Sequence, residues 1–470
     1  MNGWDPVIGL EIHVQLKTRT KMFCRCEAGW GAAANLRTCP VCLAHPGTLP
    51  VPNGKAIEWT IKLGLALGCE IAEHAVFHRK NYFYPDLPKG YQISQYDEPF
   101  CTNGSFTLPG SNGERRIGIV RAHRPRQRAP SSPRPLPGGR IGGAAHSLVD
   151  FNRGGTPLVE IVTRPDIHSA EEARRFLQLL RQTVIELGIS DAEMEKGTLR
   201  VDANVSVRRA GEVGLRTRTE IKNMNSFGFI ARGIEAEVAR QVGVWEGGGE
   251  VVQQTYDFDA ATGTLTARRS KEEADDYRYF PEPDLVPVAP PGELVERLRG
   301  ELPELPGARI DRLAARLDHE VATALVTTGR DGLYGRLAAA GIDERTAANV
   351  TMNEVAAAGL DPAAVRADEL AKVVAARETL PRPVYAEAVA ASASDEFRAE
   401  SYISQAAVAD TAELEPLVER VLAGNEAQVA AYRAGKEGLL GFFVGQVMRE
   451  SKGQANPKVV NELLREKLRP

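Results

Sequence analysis

Across its 470 residues the chain has only six cysteines, six methionines and four tryptophans. Six cysteines in a chain of this length are too few for a disulfide scaffold. No apolar run approaches the ~20 residues that a membrane helix requires, and no charged, apolar, small-residue signal pattern opens the chain. The expectation is a cytoplasmic protein with no membrane partner. The phosphate-cradling pattern G-x-x-x-x-G-K-[ST] is absent, and so is a strand-linked G-x-G-x-x-G, so any nucleotide chemistry must use a different cradle. A formal net charge of −4 excludes whole-chain electrostatics as a route to nucleic acid, and any polyanion must be met by local basic surface. One absence is itself local: from Arg115 to Val149 there is no Asp or Glu, while Arg115, Arg116, Arg121, Arg124, Arg126, Arg128, Arg134 and Arg140 fall in that interval.

What is present reads as a multidomain protein with proper cores, since 43% hydrophobic and 26% charged residues are ordinary for globular chains. Up to about residue 290, short β-type runs such as "VIGLEIHVQL", "RVDANVSVRR" and "TRTEIKNM" alternate with Gly, Pro and Asn turns. One clear helix interrupts them. Ser169 and Glu172 form a capping box, and Ala173, Phe176, Leu177, Leu180, Val184 and Leu187 follow at helical spacing. The proline-rich passage Pro281 to Pro291 reads as a linker, after which Ala, Leu, Arg and Glu dominate and the chain turns helical. Asp361-Pro362 and Asn456-Pro457 read as helix starts, and a second break falls near residues 392–403. The fold class is therefore α+β, with a mixed domain over 1–290, an all-α domain over 291–400 and a small all-α tail over 401–470.

Four of the cysteines cluster in "FCRCEAGWGAAANLRTCPVC". Two short thiolate pairs, Cys24 with Cys26 and Cys39 with Cys42, can converge on one tetrahedral ion. A reducing compartment and specific spacing favour zinc over unrelated thiols or a disulfide pair, and four Cys ligands leave no open position, so the metal is structural. Cys69 and Cys101 read as small core residues. In "GLEIHVQL", Glu11 and His13 share one strand face and Leu10, Ile12 and Val14 the other; the polar pair can bind a divalent ion or substrate, or be an exposed face. "FHRKNYFYPDLPKGYQISQYD" interleaves Lys80 and Lys89 with Tyr82 and Tyr84, a mixture suited to phosphates or bases. "TPLVEIVT" sets Glu160 in an apolar run, where a carboxylate must be hydrogen-bonded, metal-bound or protonated. Arg200, Asp202 and Asn204 alternate along "LRVDANVSVR", and Glu220, Lys222, Asn223 and Asn225 follow in "TEIKNMNSF".

Together with "SLVDFNRGGTPLVEIVT", "YRYFPEPDL" and "GFFVGQVM…KGQANP", these stretches resemble the GatB family, the B subunits of the tRNA-dependent amidotransferases, over nearly the whole chain. The resemblance implies a cradle-like catalytic domain, then a helical domain, then a tail that grips the body of the tRNA. It implies a carbon–nitrogen ligase reaction with glutamine as amido donor. ATP phosphorylates the side-chain carboxylate on misacylated Glu-tRNA(Gln) or Asp-tRNA(Asn), and ammonia from a partner amidase subunit displaces the phosphate. A small third subunit and the matching aminoacyl-tRNA synthetase are the further partners it suggests. On this reading Glu11, His13 and Glu160 are the Mg²⁺ ligands, and with Asp202 and Lys222 they make the catalytic set. Lys80, Lys89, Arg200, Tyr82, Tyr84 and Asn204 meet ATP or the 3′-adenosine. Lys436, Arg449, Lys452 and Lys458 meet tRNA phosphates. The competing reading is a tRNA-binding scaffold with an impaired kinase site.

The acid-free interval departs from the family pattern. In the family, the histidine matched by His123 is followed by Leu-Glu-Glu-Asp-Ala-Gly; here Arg124, Pro125, Arg126, Gln127, Arg128 and Ala129 stand instead, and the match resumes by Ser147. Several positive charges in place of a carboxylate oppose cation binding, yet the other candidate residues are intact. A local reading-frame slip in the recorded sequence is the expectation for this stretch, with a basic RNA-binding arm as its alternative.

Overall fold

The computed structural model describes residues 3–29, 31–84, 87–110, 113–123, 149–268, 277–405, 411–451 and 455–469. The acid-free stretch beyond His123, and with it any reading-frame slip, lies outside them, as does Lys452. The chain forms two compact units, Met1–Asp311 and Arg312–Pro470.

In the first unit, twelve strands are described: β1 (Trp4–Gln15), β2 (Glu70–Ile71), β3 (His78–Asn81), β4 (Tyr91–Ser94), β5 (Cys101–Leu108), β6 (Arg115–His123), β7 (Leu158–Thr163), β8 (Leu199–Arg209), β9 (Thr219–Met224), β10 (Thr255–Asp259), β11 (Thr264–Ala267) and β12 (Phe280–Pro281). Nine make one sheet in the order β11-β10-β9-β8-β1-β7-β6-β5-β2, and β12, β3 and β4 make a second. β1 sits at the centre, antiparallel to β7 on one side and β8 on the other.

Alternation decides the two faces of the large sheet. Leu10, Ile12, Val14, Val159, Ile161, Val201 and Ala203 are buried on the side covered by α1 (Gly54–Ala66), α2 (Ala170–Glu186) and α3 (Phe227–Glu246). Phe176 of α2 meets Phe106 of β5 edge-on at 5.3 Å, and burying side chains of this size contributes about 1.5–3 kcal/mol each. Ser169 caps α2 by accepting from the Glu172 N–H, while the Glu172 carboxylate accepts from the His168 N–H, one residue earlier than a capping box requires. Beneath β9, Glu237 of α3 is wholly buried and accepts from Thr219, Gln241 and Arg240. This network ties the helix to the strand that carries Lys222.

The proline-rich passage is docked within the first unit: Val288 bridges Ala75, and buried Glu282 holds Arg79 at 2.6 Å. Beyond it α4 (Gly292–Gly300) packs Leu298 against Ile61 and Leu65 of α1. The apolar face of α4 thus keeps the compact unit going past residue 290.

The second unit is helical. Asp361-Pro362 forms a turn, with Asp361 accepting from the Ala363 N–H, and the helix begins only at Ala367; Asn456 does cap the helix Pro457–Lys467. Val418, Phe443, Val447, Val460 and Leu464 make the core of the last helices.

Candidate functional site

The opposite face of the large sheet carries charge. Glu160 of β7 lies directly across from His13 of β1, and His123 of β6 directly across from Glu160. On the other flank, Arg200 and Asp202 of β8 face His13 and Glu11. Facing positions on an antiparallel ladder place Cβ atoms about 4.5–5.5 Å apart, so residues distant in sequence become one polar row. His13 Nε2 is 3.3 Å from Glu160 Oε2 and 3.5 Å from Glu11 Oε1, and His123 Nε2 is 3.6 Å from Glu160 Oε1.

Lys222 joins the row through a bulge. Between Val201↔Met224 and Ala203↔Ile221, β9 carries one residue more than β8. Asn223 takes a left-handed conformation there, φ 62°, which asparagine tolerates better than most residues. Lys222 Nζ then lies 2.6 Å from Asp202 and 2.7 Å from Glu220.

The crowding is visible in the proton affinities. Burial, and then the neighbouring Glu160 charge, push the Glu11 carboxyl above its usual range. Burial would also raise Glu160, but His123 and the hydrogen bond from His13 outweigh it and bring this carboxyl down to about 2. Burial opposes a charge on His13, yet Glu160 and Glu11 raise its pKa, whereas burial dominates at His123 and lowers it to about 4. At Lys222, burial loses to Asp202 and Glu220, and the ammonium is held charged. Three ligand atoms from Glu11, His13 and Glu160 lie within 4.8 Å of one another, and this donor set of two carboxylates and an imidazole can hold a metal ion.

These groups floor a cleft of about 1040 Å³, walled by Tyr82, Tyr277 and Tyr279 and by the cations Lys80, Arg121, Arg200, Arg218 and Arg268. Lys80 lies over the Tyr277 ring at 4.2 Å. Of the sequence candidates, Glu11, His13, Glu160, Asp202, Lys222, Lys80, Tyr82 and Arg200 line the cleft. Lys89 and Tyr84 line a separate depression beside exposed Phe83, and Asn204 sits one step along β8, across from Gly9 and Glu220. Sequence reasoning missed Arg218, Arg268 and Tyr277; Tyr277 and Arg218 had a signal, their places in "YRYFPEPDL" and "TRTEIKNM".

The four clustered cysteines converge as a second site. Their sulfurs lie within 4.8 Å of one another, and those of Cys39 and Cys42 are 3.8 Å apart. Tetrahedral thiolates about 2.3 Å from a central ion stand about 3.8 Å from each other, so the set fits a metal. Hydrogen bonds from the Cys24 thiol and the Cys39 N–H, with buried Lys21 nearby, hold the Cys42 thiol down to about 4. Lys21 Nζ is 3.9 Å from that sulfur and donates to the Phe151 carbonyl at 3.0 Å. Asn35 and Arg37, between the two cysteine pairs, also donate to Asp150 and Asn152 through their backbone N–H groups. The knuckle therefore grips the segment that leads into β7 and Glu160.

In the tail, Lys436, Arg449 and Lys458 are exposed. Lys467 is instead paired with Glu419 at 2.7 Å. No described helix is long and apolar enough to cross a membrane.

Comparison with known proteins covers both units. Residues 6–296 match the family model described as the GatB/GatE catalytic domain, and residues 333–468 match that of the GatB domain. The chain is 46% identical over 482 residues to the B subunit of aspartyl/glutamyl-tRNA(Asn/Gln) amidotransferase from Geobacter sulfurreducens, covering 99% of this chain and 100% of that one. Its identity to the protein of the same name from Anaeromyxobacter dehalogenans is 46% over 489 residues, covering 100% and 99%. For that of Persephonella marina it is 44% over 483 residues, covering 99% and 100%. With a sheet-borne polar cleft in the first matched region, a helical second region, and relatives that align from end to end, this chain belongs to the GatB family.

Proposed function

We propose that this chain activates and amidates the side-chain carboxyl of the amino acid on misacylated Glu-tRNA(Gln), Asp-tRNA(Asn) or both, consuming ATP and ammonia. The observation that carries the reading is the juxtaposition on one sheet face of a carboxylate–imidazole cluster, Glu11, His13 and Glu160, with cations lining the same cleft. Two anions, a triphosphate and a carboxylate, must meet there, and their repulsion is the main obstacle. Mg²⁺ held by Glu11, His13 and Glu160 would supply positive charge against both, and hard oxygen donors with an imidazole suit it. Lys80, Arg121 and Arg200 provide fixed charge for phosphate oxygens, and Tyr82 provides a face for a base. Asp202 and Glu220 fix the Lys222 ammonium, which orients the carboxyl to be activated.

The four-cysteine knuckle holds Zn²⁺ and has a structural role, because all four positions are taken by thiolates. The tail meets the tRNA body through Lys436, Arg449, Lys452 and Lys458, which contact phosphates without reading sequence. Ammonia comes from a partner amidase, assembled with this chain and a small third subunit. The test is ADP release by the assembled enzyme. It should require misacylated tRNA and be absent with the correctly charged tRNA. ADP release indifferent to the esterified amino acid, or none despite tight tRNA binding, would replace this reading with that of a scaffold.

A further inference from the structure

Tyr277 and Tyr279 both reach the cleft wall, and the backbone between them is strained. Arg278 adopts φ 44°, a left-handed conformation that costs a non-glycine residue on the order of 1–2 kcal/mol. The surroundings hold it there. Asn81, the last residue of β3, donates from Nδ2 to the carbonyls of Arg278 at 2.7 Å and of Tyr277 at 3.3 Å. The Tyr279 ring lies flat on that of Tyr96, centroids 4.3 Å apart and planes 12° from parallel. It also meets the Tyr277 ring edge-on at 6.3 Å, and Tyr277 is itself covered by the Lys80 ammonium.

A side chain fixed by a strained turn, two hydrogen bonds and a stacked ring is pre-organised. Its hydroxyl has no hydrogen-bond partner among the described residues. Tyr82, on the same wall, instead donates its hydroxyl to Gln92 at 3.2 Å. A phenol hydroxyl carries its proton near neutral pH and is a hydrogen-bond donor.

We infer that Tyr279 is a catalytic residue of amide formation, donating a hydrogen bond to the carbonyl oxygen of the activated carboxyl as ammonia adds. This rests on the amidotransferase reading above. In that step nitrogen bonds to the acyl carbon and the carbonyl π electrons move onto oxygen. The intermediate then collapses as the bond to phosphate breaks, phosphate leaving with the electron pair and the proton shed by nitrogen. Negative charge on the carbonyl oxygen exists only in the transition region. A neutral donor favours that state without binding the ground-state carboxylate tightly, whereas the phosphoryl oxygens, charged throughout, are matched by Lys80, Arg121 and Arg200.

The experiment compares the assembled enzyme with its Tyr279→Phe variant, using free ammonium as nitrogen donor and measuring both ADP release and amide formation on misacylated tRNA. Phenylalanine keeps the stack and removes only the hydroxyl. The expected result is a fall in kcat for amide formation on the order of 10²-fold, with KM for tRNA unchanged and tRNA-dependent ADP release retained. Amide formation at the unsubstituted rate, or a raised KM with unchanged kcat, would overturn the assignment alone. Absence of tRNA-dependent ADP release in the unsubstituted enzyme would overturn the amidotransferase reading, and this assignment with it.

Discussion

Glu160 faces His13 across the β1–β7 ladder, its Oε2 3.3 Å from the imidazole Nε2, and the other carboxylate oxygen lies 3.6 Å from His123. One carboxylate thus couples three adjacent strands. On the proposed function these residues act on transferred charge and not on the tRNA body, so Glu11→Ala, His13→Ala and Glu160→Ala should each abolish tRNA-dependent ADP release while leaving tRNA affinity nearly intact. Single-turnover assays beside filter binding measure both quantities. Normal turnover by Glu160→Ala would reduce that residue to a core carboxylate.

The cysteine knuckle should carry one zinc per chain. Elemental analysis after dialysis against chelator checks this. Cys39→Ser should lower thermal stability and loosen the Asp150–Asn152 segment, which Asn35 and Arg37 grip from within the knuckle. Four freely titratable thiols and no metal would exclude the site.

Replacing Lys436, Arg449 and Lys458 with alanine should weaken tRNA binding. Each lost phosphate contact should lower the slope of log affinity against log salt by about one. The ADP-releasing step at saturating tRNA should persist, since these residues lie in the second unit and the cleft in the first. Affinity and salt slope both unchanged would assign this surface to the partner proteins.

Peptide mass mapping across residues 117–146 addresses the acid-free stretch. We expect an acidic peptide in place of the Arg-Pro sequence, restoring a carboxylate beside His123. Its buried Nδ1 has no hydrogen-bond partner among the described residues. Recovery of the sequence as written would overturn the reading-frame slip and favour the impaired-kinase scaffold.

Local pattern was enough for much of this protein. Period-two alternation in "GLEIHVQL" determined that Glu11 and His13 share a face, because successive side chains on any strand point to opposite sides. Cysteine spacing was enough to bring four sulfurs together, and Ser169 and Asn456 marked helix starts, because capping is settled within one turn. Register is not local. Nothing near Glu160 in the chain says that it lies between His13 and His123, since that follows from the β6–β7–β1 strand order and a particular alignment of each ladder. Lys222 reaches Asp202 only through the bulge at Asn223, and Tyr279 enters the cleft only through the strained turn at Arg278. Lys89, Tyr84 and Asn204 have residue types suited to the chemistry, and loop course and register place them beside the cleft-lining residues and not among them. Side-chain chemistry and short-range periodicity belong to the sequence. The meeting of groups more than a hundred residues apart was decided by the sheet, because only burial of its apolar face selects one strand order and one register from the many that the same local patterns allow.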